Sequence, residues 1–161
     1  MNRRRRKKLT KRLVLAALLG VPTEVESLLR AGADPRTPDP DGTTPLYIAS
    51  VQGEARIVRA LLAAGADPDA ESGHGDQGTP LCGAACWGYT EAVRELLAHG
   101  ADPNLREDKG KGNTPLYWAL HGPHEETATV LREGASMSFV KRGVGCGVRR
   151  RCRRGVSRTA R

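Results

Sequence analysis

The sequence predicts an all-α fold, a short solenoid of about four helix-turn-helix repeats with disordered basic ends. Two three-residue phrases recur in phase along the 161 residues. Thr-Pro-Leu occurs every 35 residues, beginning at Thr44, Thr79 and Thr114. Gly-Ala-Asp begins at Gly32, Gly65 and Gly100, with a weaker echo at Gly134. Repetition at such a period is typical of solenoids, whose extended surfaces bind partners.

The second repeat shows what each part of the pattern does. Thr44 is expected to cap a first helix through its hydroxyl, and Pro45 suits the first turn, where no amide donor is needed. Gly53 separates this helix from a second one, Arg56 to Ala63, which carries a buried-type apolar stripe. Gly65 then accepts the left-handed turn that ends the second helix.

The same pattern divides the whole chain. The first repeat lacks Thr-Pro-Leu, and the last one decays near Gly122, so both are interpreted as end repeats of the array. Helices this short bury their apolar faces only by stacking, which predicts burial of Leu61, Leu62, Leu96 and Leu97. The predicted segments are a disordered basic arm (1–12), a capping repeat (13–40), repeat two (41–75), repeat three (76–110), a degenerate final repeat (111–137) and a disordered basic tail (138–161).

These residues carry a resemblance to a known family. The run Thr44-Pro45-Leu46-Tyr47-Ile48-Ala49, with Gly53, Leu61-Leu62 and Gly65-Ala66-Asp67 after it, resembles the ankyrin repeat, which reads T-P-L-H-x-A with a period of about 33 residues. The match covers roughly Leu13 to Ser136, although Tyr47, Cys82 and Tyr117 replace the family's histidine. The resemblance implies paired antiparallel helices and non-catalytic protein binding on a concave face, formed by loop tips and the exposed ends of the first helices.

Carried over by position, the resemblance also implies which residues contact a protein partner. Trp87 stands where the preceding repeat has Gln52, and large aromatic side chains dominate binding hot spots. The alternative, in which Trp87 folds onto its neighbour and is half buried, is equally open. Trp118 replaces the core-side Ile48 and is expected to pack. The predicted partner-binding residues are Asp41, Thr43, Gln52, Asp76, Trp87, Arg106, Lys111, Asn113 and His121.

Charge divides the chain into an acidic body and two basic ends. All 18 acidic residues lie between Glu24 and Glu133. Eight of the 26 basic residues fall within Arg3–Arg12 and nine within Lys141–Arg161. Weak nucleic-acid or polyanion binding by these ends is the alternative function, although no aromatic residues interleave with them to stack on bases. A solvated arm without such a role is the simpler interpretation.

The sequence does not favour an enzyme or a cofactor protein. It contains no Gly-rich phosphate loop, nucleophile elbow or two-histidine zinc helix. Gly122-Pro123 interrupts His121 and His124, and Cys82 with Cys86 lacks a second pair at zinc-finger spacing. We therefore predict no catalytic residues, no cofactor and no metal site.

The amino end raises the question of targeting. A basic run followed by Leu13–Leu19 resembles the first two regions of a signal peptide, but no small-x-small cleavage site follows. The apolar run is expected to form the first helix of the capping repeat instead, and it is too short to span a membrane. Without a disulfide framework, a cytoplasmic monomer is the default expectation, and the first basic cluster could act as a nuclear import signal in a eukaryotic cell.

Overall fold

The computed structural model describes residues 3–75 and 77–143, and within these ranges the regular structure is helical. The first and last helices are the longest, with 16 and 19 residues, and the helices between them have seven or nine. A short 3-10 turn at Gly73–Gly75 lies in a connecting loop. The α-helices are α1 (Arg3–Leu18), α2 (Pro22–Arg30), α3 (Pro45–Val51), α4 (Ala55–Ala63), α5 (Pro80–Cys86), α6 (Thr90–Ala98), α7 (Pro115–His121) and α8 (Glu125–Gly143).

The helices stack in two rows. The inner row is α1, α3, α5 and α7, and the outer row is α2, α4, α6 and α8. Each inner helix also packs against the outer helix that follows it in the chain, so that four helical pairs lie side by side. Each pair contacts its neighbours in the stack, which is the arrangement of a solenoid. The predicted all-α solenoid of about four repeats is confirmed.

The Thr-Pro-Leu phrases start the inner helices as the sequence predicts. In each of α3, α5 and α7 the proline occupies the first turn, and the threonine before it is the N-cap. The threonine hydroxyl accepts a hydrogen bond from the backbone N–H three residues later, at 3.2–3.3 Å. This bond satisfies one of the amide donors that a helix start leaves without an intrahelical partner.

Small residues bring the inner helices together, and aliphatic residues fill the space between the rows. Ala16, Ala49, Ala84 and Ala119 occupy the same position in their repeats and are at most 1% exposed. Of the leucines predicted to be buried, Leu61, Leu62 and Leu96 are buried, whereas Leu97 is only partly covered and packs against Gly134 of α8. The core therefore runs continuously through all four pairs.

Arginine–glutamate pairs connect consecutive helices of the outer row. The arginine side chains are largely exposed, so each pair adds little to stability. Hydrogen bonding to Arg59 lowers the pKa of the Glu95 carboxyl. The pairs are Arg56–Glu26 at 3.0 Å, Arg59–Glu95, and Arg94–Glu126 at 3.5 Å.

Both ends of the array differ from the predicted boundaries. Helix α1 begins at Arg3, so the structure differs from the disordered arm predicted for residues 1–12. Arg, Lys and Leu are good helix formers, and Thr10 is 5% exposed, with its hydroxyl accepting a 3.4 Å bond from the Asp34 N–H. At the other end, α8 continues through Gly134 to Gly143, past the predicted boundary at residue 137. The rest of the predicted tail, 144–161, lies outside the described residues.

Candidate functional site

Three connecting loops carry the tips that the sequence predicts for partner binding. The loops precede α3, α5 and α7 and span residues 31–44, 64–79 and 99–114. Neighbouring loops are hydrogen-bonded to each other. The Gly73 N–H donates to the Gly42 carbonyl at 3.0 Å, and the Thr44 N–H donates to Ser72 Oγ at 2.8 Å. The tips are thus held in place by their neighbours as well as by the helices.

The first loop presents Asp41 and keeps Thr43 partly covered. A carboxylate oxygen of Asp39 accepts the N–H groups of both residues, at 3.0 and 2.8 Å. The Asp41 carbonyl lies 3.1 Å from Nδ1 of His74 in the second loop. This leaves the Asp41 side chain exposed to solvent. Asp76, the predicted tip of the second loop, lies outside the described residues.

The third loop is bonded to the second loop and to α7. Glu71 accepts the Lys109 N–H at 2.7 Å, and Glu107 accepts the indole N–H of Trp118 at 2.7 Å. The partly buried Trp118 is therefore a structural residue in this geometry, in line with its expected packing role.

Of the predicted binding residues on the third loop, the two basic ones are the more accessible. Arg106 and Lys111 are exposed, and Arg106 donates to the Gly112 carbonyl at 3.0 Å. Asn113 is half-buried, and its backbone carbonyl accepts a 3.2 Å bond from the Glu107 N–H. Arg106 and Lys111 thus face solvent, while Asn113 helps to close the loop.

The carboxyl ends of the inner helices form a second row of predicted residues. Trp87 ends α5 with 62% of its surface exposed, which favours the exposed alternative over the half-buried one. Gln52, its equivalent in α3, donates to the Leu18 carbonyl at 3.0 Å and so caps α1. His121, at the end of α7, stacks on Tyr117 with ring centroids 5.6 Å apart. Gln52 and His121 therefore have structural contacts of their own, whereas the Trp87 indole projects into solvent.

The sequence interpretation missed an exposed apolar surface on α1. Leu15 and Leu18 on the helix are 53% and 54% exposed, and Leu19 directly after it is 64% exposed, whereas the sequence predicts only that the apolar run forms the first helix of the capping repeat. The alignment of the repeats indicates this exposure. Counting from the glycine after each inner helix, Leu19 corresponds to Gln52 and to Trp87, a position that faces the solvent. Alignment on Gly20 thus predicts that part of the run is exposed.

The two cysteines of α5 have different surroundings. Cys82 is 2% exposed, and burial raises the pKa of its thiol to about 12. Its sulfur lies 3.9 Å from the Asn113 carbonyl. Cys86 is half-buried, and its carbonyl lies 3.1 Å from Nε2 of His124. In the part of the chain that the structure describes, no three His, Cys, Asp or Glu side chains are grouped to hold a metal ion.

This difference predicts selective alkylation of the native protein. Because the thiolate is the reacting form, a rise of three pKa units lowers the reactive fraction of Cys82 roughly a thousandfold. With iodoacetamide at pH 8, Cys86 should be modified before Cys82, and Cys82 only as the chain unfolds, as read by peptide mass mapping. Equal native rates at the two positions would contradict the burial of Cys82, and denaturant should make their rates similar.

Comparisons with known proteins agree with this geometry. A family model described as ankyrin repeats (3 copies) matches residues 13–107 and 69–141. The chain is also similar to the potassium channel KOR1 of Oryza sativa subsp. japonica, with 43% identity over 51 residues. That match covers 32% of this chain and 6% of the channel. Within residues 3–75 and 77–143, no helix has the length and apolar character needed to cross a membrane.

Proposed function

The chain belongs to the ankyrin repeat family, and from this premise we propose that it is a non-catalytic module that binds a protein partner on its concave face. Ankyrin repeats indicate a protein–protein interaction module. The binding surface that we propose is made by the loop tips and the ends of the inner helices. One observation carries it, the exposed indole of Trp87 at the end of α5.

Trp87 is a suitable anchor because the scaffold does not require it. The equivalent positions hold Gln52 and Gly122, neither of which is aromatic. An exposed tryptophan costs solvation free energy in the free protein, which binding would recover by removing the ring from water. Tryptophan is also among the residues most enriched at hot spots.

The charged loop tips suit the rim of such a site. Asp41 is acidic, and Arg106 and Lys111 are basic, so the tips present both signs to a partner. Interfaces commonly surround an apolar centre with a polar, solvent-accessible rim. Opposite charges at separate loops would fix the direction in which a partner segment lies along the face.

The test compares Trp87→Ala with a control on the outer row, both in the full chain. Arg132 of α8 is exposed and long, so Arg132→Ala removes a comparably large side chain from the opposite row. Partners captured by the wild type are identified by mass spectrometry and then titrated against each variant. We expect Trp87→Ala to weaken binding by about 2 kcal/mol or more, and Arg132→Ala to leave it unchanged.

Stability measurements separate this result from misfolding. Because most of the Trp87 surface is exposed, its removal should change the urea midpoint little. A large stability loss with unaltered binding per folded molecule would place Trp87 in the core and refute its role. Equal binding by all three proteins would also remove Trp87 from the site.

A further inference from the structure

A groove lies at the amino-terminal end of the array, between α1 and the first connecting loop. Its volume is about 720 Å³. The floor is apolar, with Val14, Leu15 and Leu18 on the helix side and two prolines of the loop opposite. Lys7 and Lys11 lie at the end formed by the first turns of α1. A volume of this order accommodates several side chains of a bound segment.

The groove exists because α1 is longer than the other inner helices. Helix α1 has 16 residues, whereas α3, α5 and α7 have seven each. The other three begin directly after a threonine cap, at the position that Arg12 occupies in the first repeat. In each later repeat a connecting loop precedes the inner helix. In the first repeat the helical extension from Arg3 to Lys11 lies there instead, and it forms the side of the groove opposite the first connecting loop.

The apolar floor is open to solvent. Leu15 and Leu18 are each more than half exposed, and Leu19 beside them is 64% exposed. Leu15 corresponds to Ile48, which is 7% exposed because the preceding inner helix packs against it. Adjacent exposed leucines of this kind mark interaction sites on soluble proteins.

The charge of the groove is positive at the α1 end. Lys7 and Lys11 are exposed, and Arg4, Arg5 and Lys8 on the same extension are exposed as well. The carboxylates across the groove are engaged with their own loop. Asp34 accepts the Arg36 N–H at 3.0 Å, and Asp39 accepts two loop N–H groups. An occupant with carboxylates at this end would complement the lysines.

We propose that the groove binds a segment of a protein partner in which bulky apolar residues are flanked by Asp or Glu. This inference rests on the proposed function and names the chemistry of the partner. The apolar side chains would cover Leu15 and Leu18, and the carboxylates would pair with Lys7 and Lys11. Nucleic acid fits less well, because its phosphates would satisfy the lysines but leave the leucines and prolines exposed to water. The chain's own residues 144–161 are basic without an acidic residue and would be repelled.

The proposal is tested with a phage-displayed library of random 12-residue peptides, selected on the immobilised full-length chain. We expect the enriched peptides to place two or more bulky apolar residues next to Asp or Glu. A synthetic copy of an enriched peptide is then titrated by fluorescence anisotropy. Failure to enrich any peptide, or enrichment of peptides without acidic residues, overturns the proposal.

Matched variants locate the peptide on the protein. Leu15→Ser/Leu18→Ser and Lys7→Glu/Lys11→Glu should each weaken binding at least about tenfold, whereas Lys7→Arg/Lys11→Arg should retain it. Leu120→Ser is the control for the leucine change, because Leu120 is 54% exposed in α7 at the other end of the array. Circular dichroism confirms that each variant is folded. Unaltered affinity in both groove variants overturns the proposal.

Other ligands of the groove would give different results in these binding experiments. Equal binding of heparin or poly-glutamate and of the selected peptide would show a polyanion site without a role for the leucines, and would overturn the proposal. A dimer in light scattering that Leu15→Ser/Leu18→Ser dissociates would assign the groove to a second copy instead.

If groove variants keep the natural partner while Trp87→Ala loses it, the proposed function stands and this inference fails. If neither change affects the partner, both fail.

Discussion

Replacing Leu96 with alanine is expected to lower the free energy of unfolding by roughly 2–5 kcal/mol, the range for buried leucines. Leu96 is 0% exposed in α6, which packs between α4 and α8 in the outer row. The substitution removes three carbons and leaves a cavity that the surrounding helices fill only in part. Because a solenoid is stabilised by contacts between neighbouring repeats, the loss affects the stacking on both sides of α6.

Urea unfolding followed by helical circular dichroism measures this loss. The same substitution at Leu120 is the control, because Leu120 is 54% exposed and its removal should change stability by less than about 0.5 kcal/mol. The two variants remove identical atoms, so their difference reports burial alone. Similar midpoints for Leu96→Ala and Leu120→Ala would contradict the assignment of Leu96 to the core.

The repeated phrases made most of the fold predictable. Thr44, Thr79 and Thr114 cap helices because the hydroxyl and the following proline act locally, within one turn. The apolar stripes of α4 and α6 are periodic over two turns, and this period indicates a helix with one buried face. Such signals depend on short stretches of chain, and a single sequence is enough to show them.

The ends of the array were harder to predict because two signals compete there. The basic run from Arg3 to Arg12 suggests a solvated arm, but the same residues have high helix propensity. Leu9, Leu13 and Ala16 share one helical face and pack on the core, so tertiary contacts extend the helix through the charged run. At the other end, Gly134 permits close contact with Leu97 inside α8 and does not end the helix.

The candidate site was predictable in position but not in detail. The repeat register placed Gln52 and Trp87 at equivalent positions after their inner helices and His121 at the last residue of α7, and the helix ends lie there. It could not show that Gln52 bonds to the Leu18 carbonyl or that His121 stacks on Tyr117, since these partners belong to other turns and other repeats. Side-chain partners of this kind depend on three-dimensional packing, which residue spacing does not specify.

Gly88 has a second role that the sequence alone does not show. It occupies the position of Gly53, which the sequence predicts to separate two helices, and its φ of +71° is close to the +74° of Gly53. A Cβ at this position would also overlap the imidazole of His124, which the next repeat places directly over it. Gly53 has the same relation to the Tyr89 ring. The glycine therefore serves both the turn and the contact between repeats.

Substituting alanine for Gly88 should consequently lower the free energy of unfolding by more than the left-handed backbone conformation alone explains. Gly100 provides the control, because its φ is +93° and a Cβ there would meet nothing within 4 Å. Gly100→Ala should cost about 1–2 kcal/mol for the backbone conformation. Gly88→Ala should cost a further ~1–3 kcal/mol, the range for overpacking, because the His124 ring must move away from the Cys86 carbonyl, 3.1 Å from its Nε2.

A double-mutant cycle assigns the additional cost to the histidine. Truncating the ring in Gly88→Ala/His124→Ala removes the overlap, so the double variant should lose less stability than the two single changes added together. Urea midpoints of the four proteins give the coupling free energy directly. Equal losses for Gly88→Ala and Gly100→Ala, or strictly additive effects in the cycle, would show that Gly88 is required only for its turn and that the ring does not restrict the contact between repeats.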